Sequence, residues 1–142
     1  MKLSYKLFEK DYTLIPRIEL YTVHDQITGK ELPGLAVVLD EETENGIEQF
    51  AVLTVSFGDV IGSKDCAYVD VNNVPGVEQF LEQGIAEDTG FIRGSGFCSY
   101  PLWHFKKEFL EECSGGENYQ QYVNAMNKYL KKMQWEEIKC FI

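Results

Sequence analysis

Along most of this chain apolar and polar side chains alternate with the two-residue period of a half-buried strand. The period lengthens to that of a helix in one short middle stretch and again towards the C-terminus. In TLIPRIELYTV, residues 13–23, Ile18, Leu20 and Thr22 alternate with Glu19, Tyr21 and Val23, which predicts a strand after Pro16. DQITGKELPG then supplies turn residues, and LAVVLD, residues 35–40, is an apolar run of strand length. DEETENG closes that strand as a loop or hairpin tip, where Asn45-Gly46 offers the positive φ a tight turn needs. EQFAVLTVSFG, residues 48–58, predicts one strand with Phe50, Val52, Thr54 and Ser56 on one face; Ala51, Leu53, Val55 and Phe57 form the other, which is assigned to the core. CAYVDV, residues 66–71, predicts a shorter strand ending at Asn72-Asn73.

VPGVEQFLEQG, residues 74–84, changes period: Val77, Phe80 and Leu81 recur at helical spacing, Pro75 suits a first turn and Gly84 a terminus. FCSYPLWHF, residues 97–105, returns to strand alternation, but Pro101 cannot donate to a ladder. That strand is therefore expected at an edge, or bulged, fed by a glycine-hinged turn at Gly94–Gly96. From Tyr119 to Met133 the residues Tyr119, Tyr122, Val123, Met126, Tyr129, Leu130 and Met133 make an apolar stripe of helical period. The stripe serves either the core or an oligomer interface. Lys128, Lys131 and Lys132 lie in its last turns, where cations complement the helix dipole. These elements predict one α+β domain over residues 1–142, with a mainly antiparallel sheet of about four to six strands, a short middle helix and a C-terminal amphipathic helical part from about residue 106.

The net charge is −10, and its distribution says more than its total. Between Glu31 and Asp88 thirteen acids face the single cation Lys64, so this segment carries −12 and the remainder is slightly positive. Such a segment is either a solubilising surface or an acidic face, with Asp40, Glu41, Glu42, Glu44 and Glu48 as its candidate residues. Direct nucleic-acid binding is disfavoured, because phosphate contacts need clustered Lys and Arg; a basic protein surface, including that of a nucleic-acid-binding effector, is the partner such a face would attract. No apolar run reaches the length of a membrane span, and MKLSYKLFEKDYTL breaks its apolar positions with charges, so a cytoplasmic protein is expected. Cys66, Cys98, Cys113 and Cys140 lack C-x-x-C spacing and read as reduced, packed thiols.

Reactive residue types concentrate in FIRGSGFCSYPLWHF, residues 91–105, yet spacing argues against most chemistries. Gly94 and Gly96 lack the third glycine and following helix of a dinucleotide fingerprint, leaving only a nest of backbone N–H groups near Arg93 as an anion site. Cys98 and His104, six residues apart on a strand, lie about 20 Å from each other, too far for a nucleophile and its base. Asp70 does not begin an EF-hand and reads as a turn cap, while the Asp40–Glu44 carboxylates are more simply solvated than metal-binding. No catalytic residue, metal ligand or cofactor is assigned. What remains is recognition: Arg93, Ser95, Tyr100 and Trp103 are the candidate binding residues, Tyr100 and Trp103 serving either a partner or the core.

Three segments, FAVLTVSF, AYVDVNNVPGVEQFLEQGIAEDTG and RGSGFCSYPLWHF, resemble in order and spacing an uncharacterised domain family of Firmicutes mobile elements, found on conjugative elements and in large polyvalent phage or plasmid proteins. The resemblance covers about residues 20–105 and rests most on Asp70, Asn72, Asn73 and Pro75 and on Ser95 to Leu102. It implies a setting without a reaction. The expected function is a non-catalytic interaction module presenting an acidic face to a basic partner. The alternatives are an anti-CRISPR or anti-restriction inhibitor that mimics nucleic acid, and a small-ligand binder or enzyme using the Arg93–Gly96 turn.

Overall fold

The chain crosses from one sheet to another at Leu53. Its N–H donates to Val37 in the first sheet (2.9 Å), and its carbonyl accepts from Asp70 beside the second (2.8 Å). The computed structural model describes residues 1–26, 28–114 and 117–139, with side chains as far as 133. The first sheet has the order β1-β2-β3-β4, made of Leu3–Leu7, Lys10–His24, Glu31–Thr43 and Gly46–Val52. The second has the order β5-β6-β8-β7, where β5 is Thr54–Val55, β6 Cys66–Val69, β7 Ala86–Ser95 and β8 Cys98–Phe105. All neighbouring strands are antiparallel. Among the described residues three helices complete this α+β fold: α1 (Glu78–Glu82), α2 (Lys107–Ser114) and α3 (Glu117–Lys139).

The α+β class and the antiparallel pairing follow the sequence pattern, but the strand expected over residues 48–58 is two strands in two sheets. Leu53 and Thr54 are both buried, which breaks the alternation, because Thr54 Oγ1 accepts the Val37 N–H (3.1 Å) at the crossover. The register of Val55 with Tyr68 then turns Val55 and Phe57 away from buried Ala67 and Val69. Phe57 therefore leaves the core to which its parity assigned it. Of the two alternatives for the Pro101 strand the edge is overturned, since β8 is a central strand with β6 on one side and β7 on the other. Its ladder with β6 stops at Leu102, and the irregularity that accommodates Pro101 lies across from it, between Asp88 and Ile92 of β7. Pro16, likewise, lies within β2 but beyond the last β1 pair at Leu14.

Leu14, Val37 and Leu39 of the first sheet and Ala67, Val69, Trp103 and Phe105 of the second share one core with Phe80 of α1, Leu110 of α2, and Tyr119, Tyr122 and Met126 of α3. The stripe of α3 is thus spent on the core as far as Met126, leaving Tyr129 at its margin. Asp65 fixes this helix: the Tyr119 hydroxyl donates to Asp65 Oδ1 (3.0 Å), and the Asp65 N–H donates to the Tyr122 hydroxyl (2.9 Å). Burial raises the pKa of Asp65 above the usual carboxylate range, and it raises both phenols as well. Helix α1 lies against the free edge of β1, where the amides of Gln79 and Gln83 exchange hydrogen bonds with the backbone of Lys6 and Ser4 at 2.7–2.9 Å. Among the described residues no helix is long and apolar enough to cross a membrane.

Candidate functional site

Strand parity divides the recognition candidates. On β8, Tyr100 and Leu102 face outward from the second sheet, whereas Trp103 faces inward and is 1% exposed. Trp103 therefore belongs to the core and offers no surface to a partner. Its indole N–H has no hydrogen-bond partner among the described residues. Arg93 pairs with Tyr100 across the β7–β8 ladder, which brings its side chain to the outer face. There the guanidinium lies 4.2 Å from the ring centroid of Phe57 and 5.8 Å from that of Tyr68, while Nη1 donates to both oxygens of Asp59 (3.0 and 3.1 Å). Phe57 in turn meets Tyr68 and Tyr100 edge to face, at 5.4 and 5.2 Å. Partial burial, then Cys98, holds the Tyr100 phenol above its ordinary pKa.

These contacts make one pre-ordered aromatic and cationic surface. Asp59 is placed by the segment after β5, which the His24 N–H holds through Gly58 (2.9 Å). At the edge, Gly90 takes a positive φ of 85° and Thr89 Oγ1 donates to the Leu102 carbonyl (2.7 Å), so β7 bulges between Asp88 and Ile92. The bulge presents Phe91 and Ile92, about 70% exposed, beside a groove of 370 Å³ that is floored by Tyr68 and Leu102 and walled by Arg93 and residues 59–63. Sequence parity missed Phe57 and Tyr68 on this face. Phe91 and Ile92, two bulky apolar residues between Gly90 and Gly94, were the available signal for its edge.

The other predicted residues are placed differently. β7 runs through Arg93 and Gly94 to Ser95, so the turn comes later, at Gly96 and Phe97, and no nest of N–H groups forms at Arg93. Ser95 is exposed at the end of the ladder, opposite Cys98. Cys98 and His104 occupy the two ends of β8, as their separation predicts. Cys66 is buried and Cys98 and Cys113 are half-buried free thiols, the Cys113 thiol pushed up to about 12 by burial. Cys140 lies outside the described residues.

The acidic residues do not crowd a loop tip. Asp40, Glu41 and Glu42 are in β3, Glu48 is in β4 opposite Glu41, and only Glu44 is in the turn. Asp40 is 7% exposed and accepts from Arg17 Nε (2.7 Å), which withdraws it from the acidic face. Among the described residues no three His, Cys, Asp or Glu side chains gather as metal ligands. Asp70 caps its turn, accepting from the Asn73 N–H (3.3 Å) and the Asn73 amide (2.9 Å), and Asn72 Nδ2 reaches the Ser99 carbonyl (3.5 Å). The two most distinctive sequence segments thus meet in space.

No curated protein and no solved structure matches the chain. A family pattern does, beginning at residue 27, after β1 and β2, and reaching 132, so that it takes in α2 and the core-facing part of α3 beyond the expected limit near residue 105. On that match over residues 27–132, the chain belongs to the domain family of unknown function DUF4313.

Proposed function

We propose that this protein is a non-catalytic interaction module that docks a basic partner segment carrying apolar side chains onto the outer face of its second sheet. The observation that carries this reading is Arg93, clamped by Asp59 against Phe57, among half-exposed Tyr68 and Tyr100 and the exposed Phe91 and Ile92. Rigid aromatic and Arg side chains lose little freedom on binding and dominate contact energies. Glu87, exposed opposite His104 on this face, and the net charge of −12 carried by residues 31–88 favour a basic partner. A nucleic-acid-binding effector, whose basic groove such acids would occupy, is one partner of that chemistry. The setting we infer, a cytoplasmic module carried on mobile elements of Firmicutes, is supported only by the resemblance of the Asp70–Pro75 and Ser95–Leu102 segments.

The test is affinity capture from a host lysate at low salt, comparing the wild type with Tyr100→Ser and with Phe91→Ser/Ile92→Ser, all three checked for folding by thermal melts. A specific partner should be retained by the wild type, be released as salt rises, and be lost from both variants. Equal retention by all three would show that this face is not the contact surface.

A further inference from the structure

The two ends of β3 carry complementary features. At its start, Lys30 and Leu32 meet one face of α3, formed by Ala125, Lys128, Tyr129 and Lys132 at helical spacing, around a groove of 200 Å³. Leu32, Ala125 and Tyr129 are its apolar floor, and three of the chain's thirteen cations stand at its rim. The volume is below the roughly 300–1,000 Å³ of small-molecule sites, and suits one aliphatic side chain instead.

At the far end of β3, the hairpin to β4 presents Ile47, 66% exposed, on the same face as Glu42, its partner across the ladder, with Glu44 in the turn beside them. Glu41 and Glu48 face each other directly across this ladder. Like charges so placed destabilise a hairpin, but this pair projects to the face away from Ile47. An aliphatic knob flanked by acids matches an apolar groove ringed by lysines. The thirteen residues of β3 hold knob and groove about 40 Å apart, so a hairpin cannot reach the groove of its own chain.

We propose that the lysine-rimmed groove receives the acidic hairpin of a second copy of this chain, with Ile47 in the apolar floor and Glu42 and Glu44 against Lys128 and Lys132. The contact is head-to-tail, so it builds rings or open chains of subunits and leaves the outer face of the second sheet free.

Sedimentation velocity of the full chain over a concentration series tests this at about 0.1 M salt, where a Debye length of about 10 Å screens net repulsion between copies but spares contacting pairs. The sedimentation coefficient should rise with concentration, and the rise should vanish at about 1 M salt. Lys128→Glu/Lys132→Glu and Glu42→Lys/Glu44→Lys should each be monomeric alone, with melting curves showing that each folds. An equimolar mixture of the two should associate again, since every groove then meets a hairpin of opposite sign. A wild type that stays monomeric at about 0.1 M salt, variants that associate as the wild type does, or a mixture that fails to recover would each overturn the proposal. Association abolished by Ile92→Ser but untouched by the charge reversals would assign self-contact to the second sheet and overturn it equally.

Discussion

The side-chain amide of Gln83 pairs with the backbone of Ser4 in both directions, accepting from its N–H (2.9 Å) and donating to its carbonyl (2.7 Å). Gln79 does the same one helical turn earlier at Lys6 (2.8 and 2.9 Å). Four residues of helix rise about 6 Å and two residues of strand nearly 7 Å, so glutamines at i and i+4 can stand in for a neighbouring strand. The edge of β1, otherwise a template for another chain, is closed by α1.

Replacing both glutamines by alanine should leave four backbone groups of β1 to solvent alone. The expected loss is about 1–3 kcal/mol, because each pair contributes roughly 0.5–1.5 kcal/mol, and the variant should aggregate faster on heating. Denaturant melts with light scattering check this. An unchanged midpoint would mean that water serves β1 as well as the amides do.

Gly34 is opposite Tyr21 in the β2–β3 ladder, and a Cβ there would fall 2.2 Å from the Tyr21 ring. The ring covers the bare backbone, so Gly34→Ala has to displace it, at a cost of about 1–3 kcal/mol from overpacking. Tyr21→Ala together with Gly34→Ala should cost less than the sum of the single changes, which a double-mutant cycle measures.

The sequence pattern identified strands, the α1 and α3 helices and the acidic segment where local residue choice agrees with long-range packing. It went wrong where a neighbour overrules parity. One uninterrupted alternation through Leu53 hid a change of sheet, because nothing local to residues 48–58 records that Val37 and Asp70 bind the two sides of Leu53. Parity therefore assigns Phe57 to the core, and without Phe57 the Arg93 surface is not legible from its parts. Pro101 signalled an interrupted ladder correctly, but the partner strand absorbs the interruption. Trp103 and Tyr100 stand three positions apart, and their opposite fates follow from odd spacing alone once β8 is known to run unbroken through Pro101.

Asp65 connects stability to pH. Its folded-state pKa is raised, first by burial, against the partly offsetting Tyr119 hydrogen bond and nearby cations. A raised folded pKa means that the stabilising protonated form is fully present below the unfolded value, about 4, and that stability is lost as pH rises through the folded value. Asp65→Asn keeps an acceptor for Tyr119, removes the charge and suits the positive φ of 67° at this position. The variant should match the wild type at acidic pH and melt a few degrees higher at neutral pH, as calorimetry across pH would show. A variant that melts lower throughout would mean that the ionised carboxylate is required.

The β1–β2 turn holds the last unexplained strain. Leu7 pairs with Lys10, so Phe8 and Glu9 alone form the loop, with φ of 48° and 68°. Two successive positive φ angles define a turn in which Asn-Gly is favoured, and a bulky side chain there costs about 1–2 kcal/mol per residue. The absence of that dipeptide is also why MKLSYKLFEKDYTL did not read as a hairpin. Phe8 is 90% exposed, so packing does not compensate for its conformation. Phe8→Asn with Glu9→Gly should therefore raise stability by about 1–2 kcal/mol, the strain relieved being partly offset by the entropy glycine adds to the unfolded chain. Denaturant melts decide the point, and a destabilised double variant would show that Phe8 packs against the rest of the fold in solution.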